Sequence, residues 1–209
     1  MGASTRRAPS SRPSAGWPTP SARLRTSPGP TRRLDRMSTP RIETLARKHR
    51  ALLRGFRNQE ASLEEYLPRF ALRHAEKDLL SRTYVALTQE GGVDRIAGYF
   101  SLATVSVERA SVEEIPALSK LPKFPIPGVL LARLAVDTRV QGQGLGRHLF
   151  EEALGFTLSL ATSGPVAFRL FVTDAVSEDA VRFYERFGLS RLSKALPARM
   201  VLDLEPLLG

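Results

Sequence analysis

The sequence predicts an α/β fold on a mixed sheet, and three observations carry that prediction. The chain has 209 residues, 42% hydrophobic and 25% charged, which suits one globular domain with a real core. Helical and extended apolar patterns alternate along the chain in the order helix, helix, strand, strand, strand, helix, strand, helix, strand. A glycine-rich turn joins the most apolar strand to an amphipathic helix.

The elements follow in order. Ile42, Leu45, Ala46, His49, Leu52 and Leu53 keep helical spacing, with Arg47, Lys48, Arg50 and Arg54 on the opposite face. A second helix is expected to open at Ser62 with Glu65 three residues on, the spacing of a capping box. Pro68 lies too deep for the first turn, so this helix should break near it and resume from Arg69 to Leu80. Thr83 to Leu87 and Ile96 to Val107 read as antiparallel strands around the turn Glu90-Gly91-Gly92. Four prolines make residues 108–128 a loop. Val129 to Val136 is almost continuously apolar and reads as a buried strand. Leu145, Leu149, Ala153, Thr157 and Leu160 mark one face of a long helix, and Val166 to Val172 a strand. A helix over Ser177 to Phe187 carries Glu178 and Asp179 in its first turn and Gly188 past its end. Arg199 to Leu204 closes the sheet.

Composition removes several function classes. The absence of cysteine excludes disulfides, thiolate metal sites and a Cys nucleophile, and three histidines leave little for a zinc site. No segment approaches the ~18 apolar residues of a membrane span. The net charge of +10 is unevenly placed: residues 1–36 hold eight Arg and one Asp, leaving +3 for residues 37–209. Arg, Pro and Ser fill 20 of those first 36 positions, too few apolar groups to offset ordering entropy. We therefore expect a disordered extension over 1–36 and one domain over 37–209, with Met37 as the working start. The extension lacks the apolar run of a secretory signal. Its prolines argue against a mitochondrial transit helix, and its arginines would suit a nucleic-acid-binding arm.

The turn is Gln141-Gly142-Gln143-Gly144-Leu145-Gly146. Alternate glycines let a backbone approach a ligand closely, and the helix behind them aims free N–H groups and its positive dipole end at the turn, as a pyrophosphate site requires. Arg147-His148 follows Gly146 where a P-loop needs Lys-Ser/Thr, and position 147 is not the third glycine of a dinucleotide fingerprint. A plain strand-to-helix turn and a pyrophosphate site of another kind are the readings left.

Arg133-Leu134-Ala135-Val136-Asp137, followed after three residues by that turn, resembles motif A of the GNAT family of N-acetyltransferases. The family's Gln/Arg-x-x-Gly-x-Gly/Ala falls on Gln141, Gly144 and Gly146, and its second signature on Ala180 to Gly188. Residues 37–209 further resemble the acetyltransferase toxins of bacterial toxin–antitoxin pairs. Ser62 to Leu67, Ser81 to Val85, Gly98-Tyr99-Phe100-Ser101-Leu102 and Leu121 to Pro127 carry that likeness. The sequence departs from those toxins where Phe56-Arg57-Asn58-Gln59 replaces their Phe-Asp-x-Gly, and at Pro68.

The resemblance implies a mixed, mostly antiparallel sheet flanked by helices, with a V-shaped strand split at an acetyl-CoA site. It implies cofactor contacts from Leu134, Ala135, Val136, Gln141, Gly142, Gln143, Gly144, Leu145, Gly146 and Arg147, with Phe183 flanking the pantetheine arm. It implies Tyr184 as general acid to the departing thiolate. Acetyl transfer also needs a strand N–H on the developing oxyanion, for which Val136 is the candidate. Read alone, Tyr184 and Phe183 are core aromatics at helical spacing. Glu185 reads as a solvated charge and Asp174 as a loop or cap residue. With no carboxylate base in evidence, an α-amine of pKa near ~8 suits better than a lysine at ~10.4.

The function expected is a cytoplasmic toxin that acetylates the α-amine of aminoacyl-tRNA and blocks translation, with a small antitoxin protein as partner and a homodimer as the form common in the family. Lys120, Lys123, Arg133, Arg139, Arg191, Lys194 and Arg199 are candidates for a phosphate-binding face. The other readings are an N-acetyltransferase for a small amine or a protein N-terminus, and a non-catalytic binding module on the same fold.

Overall fold

The structure is a computed structural model, and it describes residues 40–208. The expectations for residues 1–36 lie outside the described residues. A seven-stranded sheet runs in the order β1-β2-β3-β4-β5-β7-β6. Its strands are β1 (Arg41–Thr44), β2 (Arg82–Glu90), β3 (Val93–Val107), β4 (Ile126–Val136), β5 (Leu170–Ala175), β6 (Ser190–Arg191) and β7 (Ala198–Asp203). Only β4 and β5 pair in parallel; the other neighbours are antiparallel, so the mixed, mostly antiparallel α/β fold is as expected.

Helices α1 (Ala61–Arg69) and α2 (Ala71–Glu76) cover one face over Phe56, Tyr66, Leu67, Val85 and Tyr99. Helices α4 (Leu145–Ser163) and α5 (Glu178–Glu185) cover the other over Tyr84, Phe100, Phe150 and Phe171. Burial of these large side chains is the main driving force for the sandwich. A third cluster, with Val112, Leu118, Ile126 and Leu170, seals the start of β4.

Four expectations need correction. The helix expected over Ile42 to Leu53 is the edge strand β1 followed by two 3₁₀ turns, Arg47–His49 and Leu53–Gly55. Pairing with Tyr84 to Leu87 satisfies the outer backbone groups of β2, and Leu45 and Leu53 still reach the core from the turns. The capping box does not form: Glu60 is the N-cap, and Glu65 pairs with Arg69 at 3.0 Å instead. The helix does break beside Pro68, at Phe70. The loop 108–128 contains the turn Arg109–Val112, helix α3 (Pro116–Ser119) and the first residues of β4. The strand expected over Val166 to Val172 starts four residues later, because pairing with Gly128 to Leu131 sets its register and leaves Val166 exposed. A Cβ at Gly128 would lie 2.8 Å from Leu170 O, so glycine permits that close pairing.

Candidate active site

One surplus residue in β4 builds the site. Ser101 pairs with Arg133 and Leu102 with Leu131, so Ala132 has no partner on β3. Such a bulge shifts the side-chain alternation by one. Val129 and Leu131 face α4; past the bulge, Leu134 and Val136 face α4, whereas Arg133 and Ala135 face α1. Parallel pairing with β5 covers only Gly128 to Leu131. Beyond it β4 stays paired with β3 but parts from β5, which is the V-shaped split that the resemblance implied.

Asp137 N donates to Ala97 O at 2.8 Å, so by alternation the polar groups of Val136 and Leu134 point away from β3, into the split. There the Val136 carbonyl accepts from Asn58 Nδ2 at 2.9 Å and Gln141 Nε2 at 3.1 Å. The Val136 and Leu134 N–H groups are thereby aimed into the split, the requirement set for an oxyanion donor. Ala135 is different: it is buried against the α1 side and pairs with Tyr99, so it backs the site without lining it.

The turn from Asp137 to Gly144 holds Gly142 at φ +74° and Gly144 at φ +87°, and a Cβ on either would meet nothing within 4 Å. Glycine is thus required there by conformation rather than by crowding, and the outer side of the turn is open. Gly146 has no such requirement, since its Cβ would make ordinary contact with Val136 Cγ2 at 3.6 Å. Gly144 caps α4 with no side-chain bond, and His148 N is the first amide bonded back to it, at 3.1 Å. The amides of Leu145, Gly146 and Arg147 keep the free N–H groups of a first turn. Leu145 is buried and offers only its backbone. Gln143 is half-buried beside the open turn. Arg147 sits on the rim, paired with Glu151 at 2.7 Å.

Tyr184 is buried, 8% exposed, on the inner face of α5 with Phe150 at 5.7 Å and Phe183 at 5.2 Å between ring centres. Phe183 is half-buried in the same cluster and also packs on Phe187. Burial pushes the Tyr184 phenol above its usual 10.0, with a hydrogen bond to Thr173 opposing the rise. Thr173 Oγ1 in turn donates to Leu131 O at 3.0 Å. Since Leu131–Thr173 is the last β4–β5 pair, the tyrosine hydroxyl is held at the apex of the split.

Three contributors escaped the sequence reading. Asp137 is fully buried and accepts from Arg57 N and Arg139 N, both at 3.0 Å, and from Arg139 Nε at 2.7 Å. Burial alone would raise its pKa, but these bonds and the Arg139 charge hold it below the usual 3.8. It ends the stretch Arg133-Leu134-Ala135-Val136-Asp137, and its signal is an acid two residues before an arginine. Asn58 lies 78 residues from Val136, and Thr173 on a strand whose start was misplaced; no local signal marks either. The basic face divides: Arg139, Arg191 and Arg199 pair with Asp137, Glu178 and Asp174, while Lys120 and Lys123 lie before β4 and Lys194 beyond β6. Asp174 is a strand residue rather than a loop or cap.

The open turn, the free amides of α4 and the unpaired edge of β4 fit a pyrophosphate carrying an amide-bearing arm, which defines a coenzyme-A-dependent acyltransferase. Residues 80–189 match the family model described as the acetyltransferase (GNAT) domain. A curated relative from Mycobacterium tuberculosis, a tRNA-acetylating toxin, is 34% identical over 158 residues, 74% of this chain and 89% of that protein. A KacT mutant structure superposes with TM-score 0.72 at 25% identity, covering 81% of this chain and 97% of that one. AtaT complexed with acetyl-methionyl-tRNAfMet gives 0.70 at 25% identity, covering 80% and 96%. The chain belongs to the GNAT family of acetyltransferases, whose acyl donor is acetyl-CoA. Among the described residues no helix is long and apolar enough to cross a membrane.

Proposed function

We propose that the chain is a cytoplasmic toxin that moves an acetyl group from acetyl-CoA to the α-amine of aminoacyl-tRNA and so blocks translation. The observation that carries this reading is the Tyr184 hydroxyl at the apex of the split, with the carboxylates of β5 and α5 engaged by arginines or exposed. Asp174 is held by Arg199 at 2.8 Å, Glu178 by Arg191 at 3.0 Å, and Glu185 is exposed on the outer side of α5. A site with an acid and no strong base suits an amine already partly neutral at pH 7, and an α-amine near ~8 is one. The M. tuberculosis relative, matched over most of its length, supports the choice of acceptor.

The α4 amides and the glycine turn hold the pyrophosphate, and the free edge of β4 orients the arm. The neutral α-amine attacks the thioester carbon to form the C–N bond while the N–H groups of Val136 and Leu134 stabilise charge on the carbonyl oxygen. The C–S bond then breaks, Tyr184 gives its proton to the leaving thiolate, and the proton shed by the acylated nitrogen passes to solvent, from which Tyr184 is reprotonated. A small antitoxin protein would restrain the enzyme, and a homodimer is the assembly form to look for. Incubation with labelled acetyl-CoA and charged tRNA, then nuclease digestion and mass analysis of the aminoacyl-adenosine, tests the reading. Acetylated aminoacyl ester is the expected product. Label on a small amine or a protein N-terminus, with none on the ester, would replace the acceptor; no transfer at all would leave a binding module.

A further inference from the structure

Arg133 stands apart from the other cations around the site. Its guanidinium carbon lies 3.8 Å over the Tyr66 ring, while Tyr66 stacks on Tyr99 and its hydroxyl meets Ser81 at 2.9 Å. The ring is therefore fixed, and the guanidinium is fixed with it. Among the described residues no carboxylate pairs with Arg133 and no acceptor takes its N–H groups, yet none of its nitrogens is buried without a partner. Its donor fork consequently faces solvent. It leaves β4 two residues beyond Leu131, at the margin of the split, on the α1 face.

The α4 amides approach the split from the opposite face. An anion at Arg133 is thus a different group from the pyrophosphate at the glycine turn. We infer that Arg133 binds a phosphodiester at the 3′ end of the acceptor tRNA, placing the aminoacyl ester in the split. This inference rests on aminoacyl-tRNA being the acceptor. A planar, stacked guanidinium with free N–H edges suits bidentate binding of phosphate oxygens.

The test compares charged tRNA with 2′(3′)-O-aminoacyl-adenosine, which carries the same amine and no phosphodiester. Arg133→Gln should lower kcat/KM on charged tRNA about tenfold more than on the adenosine ester. It should also flatten the salt dependence of the tRNA reaction by about 0.7 in log–log slope, the share of one single-strand phosphate contact. Arg133→Lys should keep the salt slope and lose part of the rate, and it covers the case in which the Gln variant misfolds. Equal losses on both acceptors, or an unaltered slope in Arg133→Gln, would overturn the contact. Wild-type enzyme that acetylates the adenosine ester but not charged tRNA would overturn the acceptor reading, and the contact with it.

Discussion

Tyr184 meets Thr173 at the last residue pair joining β4 to β5. One hydroxyl of that contact belongs to helix α5, the other to the strand that ends the parallel pairing. The proposed acid is thereby placed by the same residue pair that opens the cleft.

Tyr184→Phe should keep the aromatic cluster and remove the proton donor. We expect kcat to fall about 10²–10⁴-fold with little change in the KM for acetyl-CoA. Steady-state rates with acetyl-CoA varied at saturating acceptor check this, and equal kcat in the two proteins would remove Tyr184 from the chemistry.

With Tyr184 as the proposed acid, its raised phenol pKa places the alkaline limb of the rate profile. A group whose pKa exceeds 10.0 remains protonated through neutrality, so the acid form is lost only as pH climbs past that value. The wild-type kcat should hold up to about pH 10 and decline above it, and Tyr184→Phe should lack that decline.

Gly144→Ala and Gly146→Ala should separate conformation from contact. Alanine at φ +87° costs about 1–2 kcal/mol with no clash to blame, whereas at 146 it meets only Val136 Cγ2 at an ordinary distance. Thermal midpoints should fall for the first and hold for the second. Titration calorimetry with coenzyme A should show the matching loss of affinity at 144.

Asp137→Asn should destabilise the domain by about 2 kcal/mol, since it weakens the bonds to Arg139 and Arg57 in a dry site next to a half-exposed arginine. The native carboxyl titrates below its unfolded value of 3.8. Its contribution is therefore complete above that value and disappears as pH falls through the lower, folded one. Urea midpoints at pH 7 and pH 3 should differ less in the variant than in the wild type.

The parts of the site set by neighbouring residues could be read from the chain. The turn needed φ above zero at two glycines, and α5 is bounded by Ser177, whose Oγ accepts from Ala180 N at 3.2 Å, and by Gly188 at φ +84°. Those signals are local, and they mark α5 and the α4 amides; the role of Tyr184 came from the resemblance, since its spacing alone reads as a core aromatic. Pairings distant in sequence left no such mark. Ile42 sits in a strand because Ala86 lies opposite it, a partner 44 residues on that outweighs helical spacing. Asn58 reaches Val136 by the same kind of long connection. The Ala132 bulge is hidden because Val129 to Val136 is apolar at every position but Arg133, which leaves no alternation to be interrupted.

That unpaired alanine has a geometric consequence. Without the extra residue, Leu134 and Val136 would fall on the α1 surface and Arg133 on the α4 surface, so which side chains each wall of the cleft receives depends on a single inserted position.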